Sequence, residues 1–340
     1  MPDSKPLKLS VLDQSVSCAG RDEGDAIRDT LDLAVYCESL GYHRFWVSEH
    51  HGMPTIVGSA PEVLMAAIAA RTTRIRIGSA GVMLPHYAAL KVAEQFRVLD
   101  ALAPGRVDLG VGRAPGSDMR TAQALNPNAR HAADDFPQQV LDLQAWTRGL
   151  PHRGIEAHPL PPAGADIERA PDIWVLGSSN YGAQLAAHLG LPYAYAWFFA
   201  DGAGAEEALS LYRELYRPSE RHPTPQPTVC VWALAADSEA EARHHALSRD
   251  RWRVDRGRGV FGPLQSPEAI AARGFTPDER PVVEATQRKA FVGTAAQVAD
   301  RLQTLATELA LDELVVNTWA FDPAVRRRSY ALLAREFALA

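Results

Sequence analysis

Near the start of the chain, Arg44 to His51 (RFWVSEHH) passes from a short apolar run of strand-like composition straight into Glu49, His50 and His51. Three groups able to accept or donate protons, placed where a buried strand would end, point to acid–base chemistry rather than packing. Neighbours on extended backbone face opposite ways, so His50 and His51 are poorly placed to chelate one ion together, and only one should face a cavity. A structural histidine bonded to a backbone group at the strand end is the competing account.

Further candidates share the same kind of position. Gly177, Ser178, Ser179 and Asn180 lie between a strand-like run and an alanine-rich helix, where small residues and free N–H groups suit an anion, phosphate in particular. An ordinary serine N-cap fits the same residues. Arg113, in VGRAPG, could neutralise that anion with its guanidinium, or pair with a loop carboxylate such as Asp118. The run GSAGVMLP, holding Ser79, Ala80 and Gly81, is small or apolar where a rim would be polar, and either admits something flat and large or reflects tight strand packing. A phosphate anchor, a flat apolar wall and one histidine suit flavin mononucleotide better than a bare metabolite. No GxGxxG follows the first strand to mark a dinucleotide site.

The elements that must position these residues alternate. Strand-like runs fall at Leu7–Leu12, Phe45–Val47, Ile75–Ser79, Val107–Val111, Ile173–Leu176, Tyr193–Phe198, Val229–Leu234 and Leu314–Val316, with helical periodicity between them. Ser59 and Glu62 form a capping-box pattern for the second helix, and a fourth helix is expected over roughly 132–148, followed by a Pro/Gly-rich loop. Eight alternations require parallel pairing and favour a closed (β/α)8 TIM barrel over an open sheet, within one domain spanning 1–340. Residues 255–289 break the rhythm and read as an insertion before the last strand, placed to act as a lid. In such a barrel every strand exits on one face, which gathers Asp13, Gln14, Glu49, His50, His51, Ser79, Ala80, Gly81, Gly112, Arg113, Gly177, Ser178, Ser179, Asn180, Trp197, Phe198, Asn317 and Thr318 at one rim.

Composition narrows the partners. A formal net charge of -6 offers no basic footprint for nucleic acid, no apolar run is long enough to span a bilayer, and Cys18, Cys37 and Cys230 form no CxxC. The reading is a cytoplasmic protein acting on a small molecule. A zinc-dependent barrel hydrolase built on His50 or His51 lacks the HxH and other spaced ligands it would need, so no metal is expected.

Four segments, GYHRFWVSEHH, IRIGSAGVMLPHYAALKVAEQFRVLDALAPGRVDLGVGRAPG, WVLGSSNYGAQLAAHLGLPYA and FVGTAAQVADRL, in this order, resemble the bacterial luciferase-like flavin monooxygenases over most of the chain. The resemblance implies a (β/α)8 barrel with an insertion before the last strand. It also implies reduced FMN as cofactor, O2 as co-substrate, a separate flavin reductase as partner, and a homodimer. By the same resemblance His50 matches the active-site histidine, Ala80 and Gly81 a non-prolyl cis peptide behind the flavin ring, and Arg113, Ser178 and Ser179 the phosphate-binding positions. The reactive cysteine of light-emitting members has no match. A sister branch of the same superfamily implies one alternative, an F420-dependent dehydrogenase, and the superfamily's non-catalytic members imply another, a flavin-binding protein without turnover.

Overall fold

The computed structural model describes residues 6–155 and 170–339. Among these residues nine strands are present: β1 (Lys8–Asp13), β2 (Arg44–Val47), β3 (Arg76–Met83), β4 (Val107–Gly112), β5 (Asp172–Gly177), β6 (Tyr193–Tyr195), β7 (Pro227–Ala236), β8 (Phe291–Thr294) and β9 (Glu313–Asn317). Eight close a parallel ring in the order β1-β2-β3-β4-β5-β6-β7-β9, the β6–β7 pairing and the β9–β1 pairing completing it. This is the (β/α)8 barrel. The ninth strand, β8, lies outside the ring and pairs with the far end of β7 through Ala233–Ala236.

Alternation along each strand sorts the side chains. In β2, Phe45 and Val47 join the layer between barrel and helices, whereas Trp46 joins Leu12, Trp174, Ala194, Cys230 and Val315 inside the ring. Trp46 and Trp174 meet edge to face at 5.2 Å and plug the barrel's middle. Below them the inward residues are charged. Arg44 donates to both oxygens of Asp108 (3.0 and 2.9 Å) and to Glu313 (2.9 Å), Trp46 Nε1 donates to Asp108 (2.9 Å), and Arg76 bridges Asp108 and Asp172. The N-terminal mouth is therefore closed by a buried ion network, which leaves the C-terminal mouth to open.

Tight packing accounts for much of the small-residue run. A Cβ at Gly78 would lie 2.6 Å from the Trp46 ring, one at Gly81 2.4 Å from Leu176, and one at Gly110 2.1 Å from the Ser79 carbonyl. The Ala80–Gly81 peptide is cis, as the family resemblance implied. The β3–β4 register shifts between Ser79 and Val82, so β3 runs to Met83 rather than ending at Ser79.

Several local expectations change. The capping box at Ser59 and Glu62 is absent: Pro61 occupies the first helical turn, the cap falls on Ala60 without a side-chain bond, and Ser59 lies outside the helix. The helix expected over roughly 132–148 is present as Phe136–Thr147, but the polar loop before it holds two short helices, Met119–Leu125 and Ala129–Ala132, and the loop expected after it falls largely outside the described residues. The insertion begins earlier than residue 255. A long helix, Glu239–Gly257, leaves β7, and the helices Pro267–Arg273 and Arg280–Lys289 pack on it before β8. Arg251, inside that long helix, pairs with Glu279 at 2.9 Å and ties the insertion together. Among the described residues no helix is long and apolar enough to cross a membrane.

Candidate active site

At the C-terminal mouth the strand ends enclose a cavity of about 290 Å³. Its wall includes His50, Ala80, Gly81, Arg113, Gly177, Ser178 and Ser179, so seven of the eight residues picked out in the sequence line one space. Ser79 does not line it: its buried hydroxyl turns into the wall and donates to the Gly110 carbonyl at 2.8 Å. Inward parity explains the others, since Ala80 and Leu176 stand one layer above Gly78 and Trp174.

One corner gathers donors and positive charge. The helix Asn180–Leu189 opens at Ser179, whose side chain makes no cap bond, so the first N–H groups are left to another acceptor. Arg113 lies over the Tyr181 ring of that helix at 3.9 Å, and no carboxylate pairs with it among the described residues. Asp118, the rival partner, is occupied capping the helix Met119–Leu125 through Arg120 N and Thr121 N. A charged fork beside an uncapped helix start has the donors and the charge that could hold an anion.

The strand-end triplet divides as alternation requires. Glu49 is buried and accepts from Tyr87 Oη (2.8 Å) and the Met83 N–H (3.1 Å), and it bonds His51 Nε2 at 2.7 Å. That pair braces the loop behind the rim. His50 faces the cavity instead, its Nδ1 3.3 Å from Ser48 Oγ, which leaves Nε2 as the nitrogen available to a bound molecule. Burial pushes the His50 pKa down to about 4 against the pull of Glu49, with His51 and Arg256 adding to the fall, so the ring is neutral near pH 7. Asp13 is not at the rim chemically: it is buried and accepts from Arg326 at 2.8 Å and Thr30 at 2.6 Å.

A second, smaller space of about 60 Å³ adjoins the first, and His50, Gln14, Phe198 and Phe199 border both. Arg249, Trp252, Arg253 and Arg256 of the long insertion helix form its outer side, with Trp232 and Trp319 from the barrel. Gln14 is held by Asn317 Nδ2 (2.6 Å) and Trp319 Nε1 (3.1 Å). The four insertion residues were not picked out in the sequence, although their spacing of three, one and three positions puts them on one helix face. Cys230 also lines the large cavity; burial pushes its thiol pKa far up, so it is no thiolate at neutral pH.

The sequence pattern of the luciferase-like monooxygenases matches residues 8–313. The chain belongs to that family. It is 40% identical over 331 residues to a luciferase-like monooxygenase of Escherichia coli strain K12, covering 96% of each chain. It is 36% identical to the N-acetyl-S-alkylcysteine monooxygenase of Bacillus subtilis strain 168, over 96% of this chain and 97% of that one. The crystal structure of apo-MsnO8 has the same fold with a TM-score of 0.89 at 33% identity, covering 98% of this chain and 99% of that one.

Proposed function

We propose that the chain is the oxygenating component of a two-component flavin monooxygenase, which takes reduced FMN from a separate reductase and uses O2 to oxygenate a small organic substrate. The observation that carries this reading is the convergence on one cavity of the Arg113 guanidinium, the uncapped helix start at Ser178 and Ser179, an apolar slot, and His50. These residues fit FMN. Arg113 and the helix N–H groups would hold its phosphate, and Leu12, Ala80, Leu176 and Cys230 would flank the ring. Bound there, reduced FMN supplies the electrons that activate O2.

The protein's own share is orientation, exclusion of water and proton handling. Neutral His50 can accept a proton at Nε2 or donate a hydrogen bond from it, at the boundary between the two spaces where cofactor and substrate would meet. The insertion helix covers the smaller space and limits water there, which favours product over wasteful release of H2O2. Names of relatives guide the choice of substrate: the Bacillus subtilis relative's name specifies N-acetyl-S-alkylcysteines, so thioethers of N-acylated amino acids are the first compounds to try. A cytoplasmic homodimer belongs to the same reading, and sedimentation equilibrium tests the dimer.

The test has two stages. Quenching of tryptophan fluorescence, with Trp46 on the cavity wall, should saturate with FMN and not with F420. An FMN reductase, NADH and O2 should then yield oxygenated product and substrate-dependent oxygen uptake. Tight F420 binding without FMN binding would replace the proposal with a deazaflavin dehydrogenase. Stable FMN binding without substrate-dependent oxygen uptake across the thioether series would leave a flavin carrier.

A further inference from the structure

We infer, building on the flavin monooxygenase reading, that the small space beside His50 is a carboxylate subsite in which Arg249 binds the acid group of the oxygenated substrate. Arg249 is only 5% exposed, yet its Nη1 has no hydrogen-bond acceptor among the described residues. Its guanidinium stacks on Trp232 at 4.0 Å, and the indole Nε1 of Trp232 is a second buried donor without an acceptor. The nearest carboxylate, Asp201, stands 3.9 Å from Arg249 Nη2 and is engaged by both Nη groups of Arg253 at 2.7 and 2.8 Å. Two orphaned donors on one wall, one of them charged, lack what a carboxylate has: two acceptor oxygens and a negative charge.

Charge on the surrounding walls agrees. Arg249, Arg253 and Arg256 face the space, and among the described residues Asp201 is the one acid within ion-pair distance of Arg249 or Arg253; Asp250, which also acts on Arg249 through space, accepts from Gln287 (2.7 Å), and Asp255 pairs with Arg251 (2.5 Å). His50, on the inner side, is neutral at pH 7. Burial and the neighbouring Arg253 push the Arg249 pKa down to about 9 despite Asp201 and Asp250, which leaves it cationic at neutral pH. Folding a cation into a buried wall with an unused donor is costly, and such a group persists where a ligand completes it. Phe198, Trp252 and Trp319 surround the charge, so the acid that fits carries an apolar or aromatic body. The FMN phosphate has its own corner at Arg113, in the other space. The substrate class is thus a small apolar carboxylic acid, bound acid group toward Arg249 and reacting carbon or sulfur toward His50.

Calorimetry on the FMN-loaded protein with acetate, hexanoate, phenylacetate and N-acetyl-S-benzylcysteine, each against its primary amide, tests this. At least one acid should bind saturably, with its amide weaker by roughly tenfold or more, since the amide loses the charge and presents N–H to the donors. Arg249→Met should weaken that acid roughly 10- to 100-fold while FMN quenching stays unchanged, and Arg249→Lys should retain part of the binding. No binding by any acid, acid and amide within about threefold, or undiminished acid binding in Arg249→Met would each overturn the subsite. If Arg249→Met does not fold, the acid and amide comparison on the unaltered protein decides alone. Failure of FMN to bind would sink the flavin reading separately, because the same comparison then runs on the unloaded protein.

Discussion

His50 owes its protonation state to burial at the strand exit, and that gives it a pH signature. Its pKa in the folded chain is about 4, against an ordinary value of 6.5, because burial outweighs the attraction of Glu49. Between those values the unfolded chain binds a proton that the folded chain refuses, so stability is fully present above pH 6.5 and falls as the pH drops toward 4. In the unloaded protein the His50 ring should still be neutral at pH 5.5 by histidine NMR; a midpoint above 6 would refute the buried, neutral imidazole. His50→Gln should lose less stability than the unaltered protein between pH 7 and 4.5 in urea titrations. Catalysis gives the complementary expectation. His50→Ala should reduce product per O2 consumed by about 10²-fold, the lower end for a general acid or base, while H2O2 rises and FMN still binds. Unchanged coupling would remove His50 from the chemistry.

The helix Asn180–Leu189 shows what an element contributes that no residue could alone. Its unused N–H groups and the Arg113 fork act together, so Arg113→Gln should weaken FMN roughly 10- to 100-fold, the loss of charge-assisted bonds, with riboflavin affected little because it lacks the phosphate. Equal losses for both flavins would place Arg113 elsewhere in the site. This corner was legible in the sequence because strand, glycine, serines and helix follow without interruption, and the eight ring strands were legible because their apolar runs alternate with helical ones. Other elements hid for physical reasons. Strand β8 has four residues and runs directly into its own helix cap at Thr294, so it reads as a helix start. Pro61 overrode the capping pattern beside it. The arginines at 249, 253 and 256 share a helix face in any reading, but they look like a solvated face until the barrel supplies the wall opposite.

Across the whole molecule the two mouths of the barrel divide the labour, and the division can be tested. At the closed mouth, burial alone would raise the Asp108 pKa, but Arg44 and Arg76 more than reverse this and hold the carboxyl below its usual range. A depressed folded value contributes stability above pH 4 that is lost as the pH falls through it. Asp108→Asn removes the shared negative charge and one of its two acceptor oxygens from two arginines, of which Arg44 is nearly fully buried, and breaking such a network costs about 3–5 kcal/mol. Urea unfolding should show that loss at pH 7 and a smaller difference from the unaltered protein below pH 4. The middle plug of Trp46 and Trp174 stands between this network and the cavity above, and Trp46, which donates to Asp108, keeps its place through packing on Trp174. FMN affinity in the folded variant should therefore match the unaltered protein, whereas Arg113→Gln should lose FMN with stability within about 0.5 kcal/mol, as for an exposed side chain. A variant at the closed mouth that stayed folded yet lost FMN would show the two ends coupled, and the separation of a structural base from a chemical rim would not hold for this barrel.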